Sequence, residues 1–205
     1  MRKLFTAYIP RDEGAFSSLW RASEFTFDAN VLLDLYGVSA ALRKSFFEQL
    51  TAIKDRSFLT HQAALEFYRN RVQVRAKALK VLDSVTESLS LIPAAVSESS
   101  VEKLTEVLTA EKENVKEFLR NDPVEGPLAK LFENNVGEPY SDVQSKHAEI
   151  DQRYANRIPP GYSDEKNKED YRKYGDAILW LQVIDHARIT KKPVILVTAE
   201  KKGDW

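Results

Sequence analysis

Phe25-Thr26-Phe27-Asp28-Ala29-Asn30-Val31-Leu32-Leu33 decides the fold of this chain. A short β-prone run stops at an aspartate, an asparagine follows two residues on, and a second apolar run begins. The pattern predicts a strand over 24–27 with an acid at its carboxyl end. Arg56-Ser57-Phe58-Leu59 reads as a second strand. Val194-Ile195-Leu196-Val197 is a continuous apolar run, which fits a strand buried on both faces, as in a parallel sheet. Strands separated by helices argue for a parallel sheet with right-handed crossovers. In open sheets of this kind, ligands bind at the carboxyl ends of strands. Asp28 and Thr198 both fall just past such ends.

The helices follow from apolar spacing. Phe16, Leu19 and Trp20 predict a short helix over 12–22. Ser39 reads as an N-cap, followed by the face Leu42, Phe46, Phe47, Leu50 and Ile53. Thr60 caps a long helix with Leu65, Val72, Ala76, Leu79, Leu82 and Leu89 on one face, and Pro93 ends it. Residues 100–120 are helical again. The stretch 70–156 reads as mostly helical and charged, without a strand signal, and Ser141 is the expected cap of a helix to about 156. Residues 157–171 read as a polar loop set by Pro159, Pro160 and Gly161. A last helix places Ala177, Trp180, Leu181, Ile184 and Ala187 on one face, and Pro193 closes it.

Composition narrows the chemistry. The 205 residues are 43% apolar and 30% charged, as expected of one soluble domain with a sizeable core. Thirty basic and 31 acidic residues leave a net charge of −1, so nucleic acid is not attracted in bulk and would need a local patch. Arg157, Lys166, Lys168, Arg172 and Lys173 alternate with Tyr154, Tyr162, Tyr171 and Tyr174, a pattern that suits a backbone-tracking surface with stacking platforms. Asp164, Glu165, Glu169 and Asp170 dilute it, and a mixed solvated loop is the alternative. Without cysteine there are no disulfides, zinc–thiolate sites or thiol nucleophiles. Met1-Arg2-Lys3-Leu4-Phe5 is basic but lacks a long apolar stretch, and no apolar run is long enough to span a bilayer. A cytoplasmic protein with no membrane partner is expected. His61 could contact a phosphate, with a surface or capping role as the plainer reading; His147 and His186 receive no role.

Four acids mark the ends of readable segments: Asp28, Glu66 just inside the helix after Thr60, Asp176 after Gly175, and Asp204 near Glu200. A carboxylate cluster with no neutralising partner needs a metal ion. Mg2+ or Mn2+ held by carboxylates and water is the usual apparatus for cutting phosphodiesters. Asn30 would orient Asp28 or touch substrate, and Thr198 would hydrogen-bond a ligating carboxylate or water. Asp34 reads as a solvated helix charge. A strand-terminal Asp also opens phosphatases of the haloacid-dehalogenase type, but these need a second Asp two residues on, where Asn30 stands.

Together these segments resemble the PIN-domain nucleases, most closely the PIN-like group whose first motif reads FDxNVLLxLY. Here it is Phe27-Asp28-Ala29-Asn30-Val31-Leu32-Leu33-Asp34-Leu35-Tyr36. The family's helix-borne glutamate matches Glu66, its third acid matches Asp176 in Tyr174-Gly175-Asp176, and its last motif matches Thr198, Glu200, Asp204 and Trp205. Glu200 stands where an aspartate is commoner, so either Glu200 or Asp204 fills the fourth place. The resemblance implies a three-layer α/β/α domain over 1–205, with a central parallel sheet and a helical insertion over about 90–156. It implies a Mg2+- or Mn2+-dependent endonuclease in which a metal-activated water attacks the phosphodiester. RNA is the implied substrate, with DNA as the alternative, and toxin or anti-phage roles are common in such domains. The rival reading is a PIN-like module that binds nucleic acid or protein without cutting. Trp205 follows directly on the last motif, which leaves room for a truncated chain or a longer protein. A homo-oligomer, or a partner held through a C-terminal extension, would then be the assembly.

Overall fold

The computed structural model describes Ile9, residues 12–89, Leu91, residues 96–167 and residues 170–205. Met1–Phe5, Pro93, Lys168, Glu169 and the Lys166 side chain lie outside the described residues.

Three strands form one parallel sheet in the order β2-β1-β3. Strand β1 (Glu24–Phe27) is central. It pairs with β2 (Ser57–Phe58) through Phe25 and Thr26, and with β3 (Val194–Val197) in a register running from Glu24 opposite Val194 to Phe27 opposite Val197. A parallel ladder requires crossovers, and helices supply them. Helix α1 (Glu13–Ala22) precedes the sheet, with Asp12 accepting from the Ala15 N–H as its N-cap. Helices α2 (Ala29–Asp34) and α3 (Ala40–Ala52) carry the chain from β1 to β2, and Ser39 caps α3 by accepting from the Leu42 N–H. After β2, Thr60 caps α4 (His61–Leu89) through the Ala63 N–H.

The long excursion before β3 contains α5 (Glu98–Asn121), α6 (Glu125–Phe132), α7 (Val143–Ala155), α8 (Asp164–Asn167), a 3-10 turn at Asp170–Tyr174 and α9 (Gly175–Thr190). Helix α5 lies against α4. Helix α6 is different: Val124, Leu128 and Phe132 belong to the same buried cluster as Phe25, Phe27, Leu32, Leu50 and Phe67. Immediately after it, Val136 forms a parallel bridge with Leu59, through Leu59 N–H to Asn135 C=O at 2.8 Å and Gly137 N–H to Leu59 C=O at 2.8 Å. The expected absence of strand character in this stretch is therefore corrected at one residue, which pairs with the residue directly after β2.

Other local expectations also shift. Asp142, not Ser141, caps α7, accepting from the Ser145 N–H. The polar loop over 157–171 contains α8, and its Asp164 is buried. β3 is half-buried along its length because it flanks β1 at the edge of the described sheet. Helix α9 buries two faces rather than one. Ala177 and Leu181 pack with Ile150, Tyr154 and Tyr174, while Leu179 and Val183 pack with Ala63, Val194, Leu196 and Trp205. Among the described residues no helix is long and apolar enough to cross a membrane.

Candidate active site

Asp28 and Asp176 meet electrostatically at the carboxyl edge of the sheet. Asp28 follows β1 directly, and its backbone N–H continues the ladder by donating to the Val197 carbonyl at 2.9 Å. It occupies the N-cap position of α2 without a capping bond from its side chain. That side chain is instead held by the loop after β3: the Thr198 hydroxyl donates to Asp28 Oδ2 at 2.9 Å. Thr198 Oγ1 in turn accepts from Asn30 Nδ2 at 3.3 Å and from the Glu200 N–H at 3.0 Å. Asn30 Oδ1 accepts from the Ala199 N–H at 3.2 Å. Asn30 and Thr198 thus lock the ends of β1 and β3 together around Asp28.

Asp176 lies in the first turn of α9, where the helix dipole favours an anion. Its Oδ2 accepts from Trp205 Nε1 at 2.9 Å and pairs with Lys202 Nζ at 3.6 Å. Burial pushes the Asp28 carboxyl above its ordinary value of 3.8, against the Thr198 hydrogen bond, and the charge of Asp176 pushes it the same way. The two acids therefore share one electrostatic site. Glu66 reaches toward the start of α9 from α4: its Oε1 accepts from Gln62 Nε2 at 2.6 Å and fills the space a Cβ at Gly175 would take. The Gln62 backbone N–H is fixed by the buried Gln182 Oε1 at 2.9 Å.

The last motif splits into distinct tasks. Glu200 Oε1 accepts from the backbone N–H groups of Lys201 at 2.7 Å and Lys202 at 3.0 Å. Although burial raises Glu200, these bonds and the Lys202 ammonium hold it below the usual carboxylate range. Asp204 is 3% exposed. Its Oδ2 accepts from the Ser163 N–H at 2.8 Å, and its carbonyl accepts from the Gly161 N–H at 3.1 Å. Burial raises Asp204 too, but hydrogen bonding from the Ser163 side chain and amide, with the Lys202 charge, leaves the group below its ordinary value. Its other oxygen, Oδ1, is buried without a hydrogen-bond partner among the described residues.

Two residues at the site gave no sequence signal. Asp164, taken above as a charge diluting a basic loop, is 4% exposed, and Lys202 Nζ lies 3.3 Å from its Oδ1. Lys202 Nζ is also 3.3 Å from Glu200 Oε2. Burial pulls this ammonium down, yet Asp176, Asp164 and Glu200 hold it above the usual lysine range. Tyr154 reports the same crowding. Its buried hydroxyl is pushed up by burial and by the charges of Asp176, Asp164 and Asp204.

The nominated basic surface is only partly engaged elsewhere. Arg172 pairs with Asp170 at 3.2 Å, and Lys173 pairs with Asp151 at 3.5 Å while lying 4.7 Å over the Tyr174 ring. Arg157 is exposed. His186 stacks on Phe58 and pairs with Glu24 at 2.9 Å, at the opposite edge of the sheet.

A family model described as a PIN-like domain matches residues 24–106 and 94–205. The chain belongs to the PIN-like domain family. No curated protein and no solved structure matches it. In this PIN-like domain, no group of three or more His, Asp or Glu side chains among the described residues is arranged to hold a metal ion. The acids are instead engaged by Thr198, Gln62, Trp205, Ser163 and Lys202. The donor chemistry still suits a hard divalent cation. Every donor is a carboxylate oxygen, and Asp204 Oδ1 is buried without a partner.

Proposed function

We propose that this PIN-like domain is a divalent-metal-dependent endonuclease acting on RNA. The observation that carries this reading is the buried Asp28, whose carboxyl is raised by burial and by Asp176 at the carboxyl edge of a parallel sheet. Lys202 already pairs with Asp176, and the poorly solvated Asp28 beside it still calls for a counter-cation. Asp28, Asp176 and Glu66 would hold it, with Asp204 or Glu200 as the fourth acid. Mg2+ or Mn2+, when bound, supplies Lewis acidity toward water and toward the oxygens of the scissile phosphodiester. Thr198 holds Asp28 in orientation, and Asn30 keeps Thr198 in place. Gly175 admits the Glu66 carboxylate at the start of α9. Arg157, Arg172 and Lys173, together with Lys166 and Lys168, would meet the nucleic-acid backbone.

A second reading has its own support. The acids are already engaged by protein donors, and no three-acid group stands ready for a metal. A binding module that does not cut would need nothing more. One assay separates the two: incubation of single-stranded RNA and DNA oligonucleotides with Mn2+, with Mg2+ and with a chelator. Cleavage of RNA that needs the metal and disappears in Asp28→Asn supports the nuclease. Binding without cleavage under every metal condition overturns it in favour of the module.

A further inference from the structure

Lys202 sits where a cation would sit. Its Nζ lies 3.3 Å from Asp164 Oδ1, 3.3 Å from Glu200 Oε2 and 3.6 Å from Asp176 Oδ2. The three carboxylates come from three elements: α8, the first turn of α9, and the loop after β3. Such convergence on one point is how proteins seat a hard cation.

The ammonium is placed there by its own backbone. Glu200 Oε1 accepts from the Lys202 N–H at 3.0 Å and from the Lys201 N–H at 2.7 Å, while Glu200 Oε2 meets the ammonium. The Glu200 N–H is tied to Thr198, which is tied to Asp28. Position 202 is thus fixed relative to Asp28 through a short chain of hydrogen bonds.

Asp176 connects the two halves of the cluster. Its charge reaches Asp28, yet Lys202 and Trp205 both engage the same oxygen, Oδ2, which spares Oδ1 those two contacts. In sites with two metals, the cations stand about 3.5–4 Å apart and stabilise the attacking and leaving oxygens together. Here a bridging carboxylate, Asp176, has an ammonium on one side and an acid in need of a counter-cation on the other.

We propose that Lys202 is a built-in second cation, so that the domain takes one divalent metal ion rather than two. This inference rests on the metal-dependent reading above. The Asp164–Asp176–Glu200 seat is filled by the ammonium, and the divalent ion belongs to the Asp28 side. Removing the ammonium converts that seat into a second site for a divalent cation.

The test is the stoichiometry of Mn2+ binding, read by titration calorimetry and by the loss of the free Mn2+ electron-spin-resonance signal. The parent binds one Mn2+ per chain. Lys202→Met and Lys202→Gln bind two, and adding Asp164→Asn to either returns the count to one. Lys202→Arg, which keeps the charge, stays at one. Thermal unfolding of each variant verifies that it is folded, and the Met and Gln variants back each other up. Two Mn2+ in the parent overturn this proposal and leave the nuclease reading standing. One Mn2+ in both Lys202 variants overturns it equally. No Mn2+ in any of these proteins overturns the nuclease reading and this inference with it.

Discussion

A side chain at Gly175 would occupy the space held by the Glu66 carboxylate: a Cβ there meets Glu66 Oε1 before any other atom. The start of α9 therefore sets where the α4 acid can stand. Gly175→Ala forces the Glu66 carboxylate to move. On the nuclease reading proposed above, metal-dependent cleavage should fall about 100-fold, the cost of misplacing a catalytic group by roughly 1 Å. The melting temperature should change little, because Glu66 is the far end of a flexible side chain. Unchanged cleavage would show that Glu66 has no part in the reaction.

Asp28 gives a prediction with a definite sign. Its folded-state pKa lies above the ordinary 3.8. The stability it contributes is present below that value and is lost as pH rises through the raised pKa. Asp28→Asn removes the titration and keeps the shape, and its amide oxygen can still accept from Thr198. Without metal, the variant should melt at or above the parent at pH 7.5, and the gap should close as pH falls toward 4. A variant melting well below the parent at pH 7.5 would make Asp28 a structural acid.

Gly161 has φ +86° and lies under Asp176, where a Cβ would come within 2.9 Å of Asp176 Cβ. Gly161→Ala meets both a left-handed backbone and a collision. It should cost more than the roughly 1–2 kcal/mol of the backbone term alone. Denaturant unfolding measures this, and a neutral result would mean that the loop moves freely around Asp176.

Asp204 predicts the opposite pH behaviour to Asp28. Its folded-state pKa lies below 3.8, so its contribution is full above that value and is lost as pH falls through the lowered pKa. Asp204→Ala leaves the Ser163 N–H without its acceptor and should cost about 1–3 kcal/mol at pH 7. Asp204→Asn keeps an acceptor oxygen and should cost less. Urea titrations of both variants at pH 7 decide the order.

Phe132→Ala tests how far α6 belongs to the domain. Phe132 is 2% exposed and meets Phe27 edge-on, with ring centres 6.2 Å apart. Its truncation should cost about 3–5 kcal/mol. Excising residues 90–156 should abolish cooperative folding, because Val124, Leu128 and Phe132 leave the core with them.

The readable parts of this chain are those in which one residue type had one reason to stand where it does. Phe25–Phe27 and Val194–Val197 are apolar runs bounded by polar residues, and they pair as expected. Thr198 follows β3 directly, and it bonds Asp28. Lys202 and Asp164 were illegible for a physical reason. Each stands among other charges, in Glu200-Lys201-Lys202 and in Asp164-Glu165-Lys166, and only tertiary structure buries one charge of such a run. Val136 was invisible because a single bridging residue has no period. The two buried faces of α9 were missed because a helix wrapped on two sides does not show one apolar stripe.

Asp28 and Thr198 are 170 positions apart in sequence, yet their side chains meet at 2.9 Å. β1 and β2 can pair early in synthesis, but the far flank of β1 stays bare until β3 leaves the ribosome. Thr198, Lys202 and Trp205 all follow β3, so the clamp on Asp28 and the neighbours of Asp176 are made only after it. The clamp on Asp28 thus belongs only to chains translated past Thr198 and folded.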